Sequence, residues 1–350
     1  MKNLLIIIFS LFLFSQNLFA TQEEKKLYKD AMKLIDSYNG DSAKLYKALY
    51  KIEQLKRLNS QSKYYFISYA EYLRMDGFLS GRNYKEDSLV QSKIFIEKAL
   101  EVDPDFFDTY YLGVFTYLYS SDLITTEKFI KKLEALSKTK EDSVKILHVK
   151  SAVAEKEKKF DLLISYSKQI LEENISESNN LSAMYELAFA YENTNKYDEA
   201  EEYYKKIINI EPSAWNFHNF ANFYYYRKKD YDKAIEYEKQ ALSIANFPLA
   251  RKILGKAYYK KAAKLYWDEK WYQDSLEYFL LAVRFYPTSN AYYGLGLAYY
   301  QIGHGLKDKK LIYKSKEAFE RSLYINPENQ HSLKQLKRVN KLIDWLKHNS

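Results

Sequence analysis

The sequence contains no cysteine among its 350 residues, and only 9 glycines and 5 prolines. Without thiols it forms no disulfide, cannot be an acylated lipoprotein, and has neither a cysteine nucleophile nor a zinc–thiolate site. Hairpins, bulges and Rossmann turns draw on glycine and proline for their backbone angles. Their scarcity therefore excludes a sandwich, a barrel or a doubly wound sheet. Arginine is scarce as well, at 8 of 54 basic residues. Nucleic-acid interfaces lean on the planar arginine fork. Here lysine alternates with acids instead, as in Glu155-Lys156-Glu157-Lys158-Lys159. Despite a net charge of +8, that pattern is a solvated surface, and no nucleic-acid partner is expected. What the chain does have is 47% hydrophobic residues, 17% aromatics and 36 tyrosines, enough to offset the entropy lost on folding. The balance points to a long, nearly all-helical chain.

The first twenty residues read separately. Lys2 precedes an apolar run, Leu4 to Phe14, broken only by Ser10, and Gln16-Asn17-Leu18-Phe19-Ala20 follows. This is the pattern of a secretory signal cut after Ala20, so export to the periplasm or beyond is expected. A retained anchor is the alternative, although the run is short for a bilayer. No later stretch approaches 18 apolar residues, so no stable membrane insertion is expected after cleavage.

The prolines stand at Pro104, Pro212, Pro248, Pro287 and Pro327. Their spacings are 108, 36, 39 and 40, and the first is three times 36. Each except Pro248 closes a similar run, such as Ile96 to Asp103 or Tyr204 to Glu211. A breaker at this interval marks a repeated unit in which proline ends the second helix.

The segment from Leu181 carries the fullest pattern. Met184, Leu187, Ala188 and Tyr191 fall at positions 4, 7, 8 and 11, and Ala200, Tyr204, Ile207 and Pro212 at 20, 24, 27 and 32. These residues resemble the tetratricopeptide repeat family, whose 34-residue pattern is W-x2-L-G-x2-Y, then A-x3-F, then P. The register continues through Ala221, Tyr225, Ala234 and Ala241, with Glu238 where the family prefers an aromatic. It continues again through Tyr259, Ala262, Ala263, Tyr266 and Phe279, and through Tyr292, Leu295, Gly296, Tyr299 and Phe319. Two additions of seven residues interrupt it, one before Lys256, read as a lengthened helix from about Pro248 to Trp267, and one after Gly303. The resemblance implies an all-α fold, a right-handed superhelical α-solenoid of helix pairs with a C-terminal capping helix. The expected segments are a signal at 1–20, divergent helical repeats at 21–104, divergent tetratricopeptide-like repeats at 105–180, clear repeats at 181–328 and the cap at 329–350. In the cap, Leu333, Leu336, Val339, Ile343 and Leu346 form one apolar stripe.

Catalytic chemistry has little to stand on. None of His148, His218, His304, His331 and His348 pairs at i, i+3 or i+4, and no H-E-x-x-H occurs. Gly294-Leu295-Gly296 begins like a dinucleotide loop, but Tyr299 replaces its third glycine. Acid pairs such as Asp198-Glu199 fall on second-helix surfaces. No catalytic residue, metal or cofactor is expected.

In solenoids of this family the inner groove is lined by first-helix positions 2, 5, 9, 12 and 13. In the first clear unit these include Tyr185, Phe189 and Asn193. In the second they are Asn216, Asn219, Phe223, Tyr226 and Arg227. The third contributes Lys260, Lys264 and Trp267, and the last Asn290, Tyr293 and Tyr300. Aromatics supply rigid contact area, and asparagines can hydrogen-bond an extended backbone. Lys260 and Lys264 at positions 5 and 9 depart from the Lys/Asn pair of members that clamp a C-terminal carboxylate. The expected function is a non-catalytic scaffold holding a peptide or protein segment in this groove. Alternatives are a glycan-binding or glycan-cleaving cell-wall protein, and a periplasmic transporter subunit binding a small apolar ligand.

Overall fold

A computed structural model describes residues 21–38, 42–80 and 83–348; the expected signal at 1–20 lies outside them. Among the described residues the regular structure is helical except for one antiparallel ribbon, β1 (Phe78–Ser80) with β2 (Asn83–Tyr84). The chain divides into two contact units, 1–183 and 184–350.

The first unit contains helix pairs α1 (21–36) with α2 (Ser42–Leu58), α3 (Lys63–Asp76) with α4 (Glu86–Val102), α5 (Phe107–Tyr119) with α6 (Leu123–Leu136), and α7 (Lys140–Lys156) with α8 (Phe160–Glu173). Side chains cap several of these helices. Asp122 accepts from Thr125 N–H at the start of α6, and Thr139 and Asp142 form a reciprocal capping box on α7. Ile52, Leu55, Ile67, Ile96 and Leu133 lie fully buried between the pairs.

The division falls inside α9 (Glu177–Asn193). The second unit continues with α10 (Tyr197–Ile210), α11 (Ala214–Phe223), α12 (Tyr231–Ile244), α13 (Pro248–Lys264), α14 (Tyr272–Phe285), α15 (Ser289–Leu306), α16 (Lys309–Ile325) and α17 (Gln330–His348). Small residues let paired helices meet. Gly294 lies so close to the Phe279 ring that a Cβ would stand 2.2 Å from it, and Gly296 faces Phe319 at 2.7 Å on the same measure. The Gly-x-Gly of α15 is thus a packing device for two core phenylalanines. α17 closes the unit, with Val339 and Ile343 buried and Lys334, Lys337, Arg338 and Lys341 exposed.

Both additions are resolved as helix. α13 has 17 residues against 10 in α11, so the first addition lies inside it. The second is shared. Gly296 stands eleven residues before the turn residue Lys307, where Ala188 stands seven before Asn195, and α16 has 17 residues where α10 has 14. Both partners of the pair therefore gain about one turn, and the packed stripe keeps its phase. One expectation needs correction. Four prolines follow the second helices, but Pro248 occupies the first turn of α13, where its missing N–H has no helical partner to lose.

Candidate functional site

The turns between paired helices set which first-helix residues face outward. Six of them have one left-handed residue: Ser121, Lys158, Asn195, Lys229, Lys270 and Lys307, with φ between 54° and 63°. The following N–H closes the helix end. Asp122, Lys159, Lys196 and Asp308 donate to Tyr117, Ala154, Tyr191 and Gly303, five residues back. Asp230 and Trp271 instead reach six residues back, to Tyr224 and Leu265. The extra residue belongs to π-helical turns that end two successive first helices, Tyr224–Lys228 after α11 and Leu265–Glu269 after α13.

This extra residue rotates everything upstream by one position. Ala188 lies seven residues before its left-handed turn residue, whereas the fully buried Ala221 and Ala262 lie eight before theirs. Three sequence assignments are corrected as a result or by direct packing. Asn216 is buried, accepts the Tyr185 hydroxyl and donates to the Glu211 carbonyl at 2.8 Å. Phe223 is 1% exposed, with its ring 5.2 Å from Tyr204. Tyr300 is also buried, with the Arg338 guanidinium 4.9 Å from its ring. None of the three lines an open face. In α11 the shifted register brings the exposed Trp215 to the place assigned to Asn216, whereas His218, one residue before Asn219, is buried. The signal was present in the sequence: Ala221 sat at position 7, with Asn222 where the small residue belongs.

The other assigned residues divide by exposure. Tyr226 and Trp267, at equivalent places in the two π turns, are 46% and 38% exposed. Phe189 is exposed on α9, and Trp215 on α11 is 47% exposed. Asn290 and Lys260 are exposed. Arg227 is exposed but held by Glu192 at 2.7 Å, and Lys264 stands 3.7 Å from Glu269. Tyr185, Asn193, Asn219 and Tyr293 are half-buried. Asn193 donates to the Phe189 carbonyl at 2.8 Å, so its amide serves its own helix. The second unit thus presents aromatics on successive first helices, with most nearby charges already engaged.

Sequence reasoning missed a polar cluster in the first unit. Arg74 Nε donates to Glu71 Oε2 at 2.8 Å, both side chains being buried, and Arg74 Nη1 donates to the Tyr84 hydroxyl at 2.8 Å. Asp108 accepts from the Tyr28 hydroxyl at 2.9 Å and from Lys145 at 3.1 Å. Asp36 keeps solvent contact, yet the surrounding protein pushes its carboxyl up to about 6; Glu71 adds to the rise and Arg74 and Lys145 oppose it. These residues are separated by tens of positions in weakly patterned repeats, and no local motif joins them. Glu71 and Asp108 are each tied to a cation, so the cluster reads first as a structural ion-pair network. Among the described residues no group of three or more His, Asp or Glu is placed to hold a metal ion.

The tetratricopeptide repeat model matches residues 181–213, 217–247 and 290–329. No curated protein matches the chain. Among solved structures, the C-terminal part of a TPR repeat-containing protein from Cytophaga hutchinsonii is similar at 14% identity and a TM-score of 0.54, over 77% of this chain and 99% of that one. The human IFIT1 dimer with m7Gppp-AAAA is similar at 13% identity and a TM-score of 0.55, over 91% of this chain and 72% of that one. At such identities the likeness concerns the fold alone. Repeats of this kind bind proteins and peptides, which supports an interaction scaffold. The chain contains tetratricopeptide repeats.

Proposed function

We propose that the protein is a non-catalytic adaptor of the cell envelope that holds an extended peptide or protein segment against the first-helix face of its second unit. The observation that carries this reading is the exposure of Tyr226 and Trp267 at equivalent places in successive repeats. Their neighbours Tyr225 and Leu265 are buried, so the helices spend their core aromatics and aliphatics on packing and still present rings to solvent. Rigid aromatic surface of this kind anchors interfaces. Export is supported by Lys2 and the apolar run behind it. Among the described residues, no helix is long and apolar enough to cross a membrane.

The test is the double variant Tyr226→Ala/Trp267→Ala, compared with the wild type in affinity capture followed by mass spectrometry. Loss of a specific captured partner with an unchanged melting temperature supports the reading. Capture of the same partners at unchanged affinity contradicts it.

A further inference from the structure

A second feature of the second unit involves none of the residues assigned to the first-helix face. The start of α14 meets the end of α15 around an open depression of about 390 Å³, within the size range of small-molecule sites. Trp271 and Leu306 supply its apolar surfaces and are 58% and 65% exposed. Gln273, Asp274 and Gln301 supply its polar lining. Gly305 is part of the same lining, and a Cβ built there meets nothing within 4 Å.

Two properties of this lining narrow the ligand. Among the described residues, the side chains of Trp271, Gln273, Asp274 and Gln301 have no hydrogen-bond, ion-pair or ring partner. An indole N–H, two carboxamides and one carboxylate therefore stand together, exposed and without a protein partner, so that a ligand would replace only water on them. The lining also contains no lysine, arginine or histidine. An anionic ligand would meet Asp274 with no cation to balance it. A wholly apolar ligand would cover two amides and a carboxylate without replacing their water, at a cost of roughly 1–3 kcal/mol for each group left unpaired.

We propose that this depression binds a neutral saccharide, with one pyranose ring laid on the Trp271 indole. A pyranose has an apolar C–H face and a rim of hydroxyls that both donate and accept. The C–H face matches Trp271 and Leu306. The hydroxyls match the carboxamides, which donate and accept, and Asp274, which accepts. Gly305 adds no side chain to the depression. The site is independent of the partner face, because none of its residues belongs to that face.

The test uses the full chain and isothermal titration with cellotetraose, chitotetraose and β-1,4-galactotriose. Saturable binding of at least one is expected, weakened about tenfold or more by Trp271→Ala. Gly305→Val is the second variant. It leaves the indole in place and fills open space, and it is expected to weaken binding by a similar factor. Trp345→Ala, on the exposed side of α17, is expected to change affinity less than about twofold. Retardation in gels containing hydroxyethylcellulose assigns the site to chain-internal rings, and binding of short oligosaccharides alone assigns it to chain ends; both support the proposal. It is overturned if no saccharide binds saturably, if binding survives both pocket variants, or if the depression takes only an apolar probe such as N-acetylphenylalanine amide.

Discussion

His218 Nδ1 lies 2.8 Å from Glu238 Oε1, inside the packing of α11 against α12. Both side chains are buried, at 5% and 0% exposure, and Asn222 completes the row at 2.9 Å from His218 Nε2. Glu238 stands at the position the repeat gives to an aromatic. Burial pushes its carboxyl up to about 7 from an ordinary 4.5, against the opposing pull of His218. Protonation is thus favoured in the folded state. The stability this carboxyl contributes is fully present below 4.5 and is lost as the pH rises through 7. The wild type should melt lower at pH 8 than at pH 5.5. Glu238→Gln keeps a polar partner for the imidazole without the charge. It should flatten that pH dependence and raise the melting temperature at pH 8, and thermal scans at both pH values check this.

The left-handed turn residues predict a gain. Lys229, Lys270 and Lys307 hold φ of 56°, 62° and 54°, a region that favours glycine because no Cβ meets the following carbonyl. Each Lys→Gly change should stabilise by about 0.5–1 kcal/mol, with the three summing approximately in urea midpoints.

Glycine is required elsewhere for the opposite reason. Gly294→Ala and Gly296→Ala drive a methyl into the rings of Phe279 and Phe319 and should each destabilise by about 1–3 kcal/mol. Gly305→Ala, with open space above it, should be neutral or stabilise by up to about 1 kcal/mol through helix propensity. Equilibrium unfolding of the three variants separates packing from propensity.

Phe223 and Tyr226 should part company in the same assay. Phe223→Ala removes a fully buried ring and should cost about 3–5 kcal/mol, whereas Tyr226→Ala should cost less than about 0.5 kcal/mol. An equal loss at both positions would place Tyr226 in the core.

The helix pairs were legible from residue 181 because small residues at positions 8 and 20 and the following proline are imposed by packing. The first-helix face was legible only in part. Tyr226 and Trp267 lie beyond the inserted π-turn residue, so counting from the unit start still reaches an exposed place. Phe223 and Asn216 lie before it, where one added residue rotates the helix by about 100°. The turn residues were hidden for a related reason: lysine occupies left-handed positions where glycine would have announced them. The Glu71–Arg74 and Asp108–Lys145 cluster was invisible because its members meet only through tertiary packing.

The central claim is that the first-helix face of the second unit receives a partner. It is tested most directly by placing a photo-crosslinking amino acid at 226 or 267, with 280 on the exposed side of α14 as control, and identifying the adducts by mass spectrometry. The account predicts the same partner segment attached at 226 and 267 and absent at 280. Adducts at 280 that match those at 226 and 267 would contradict it.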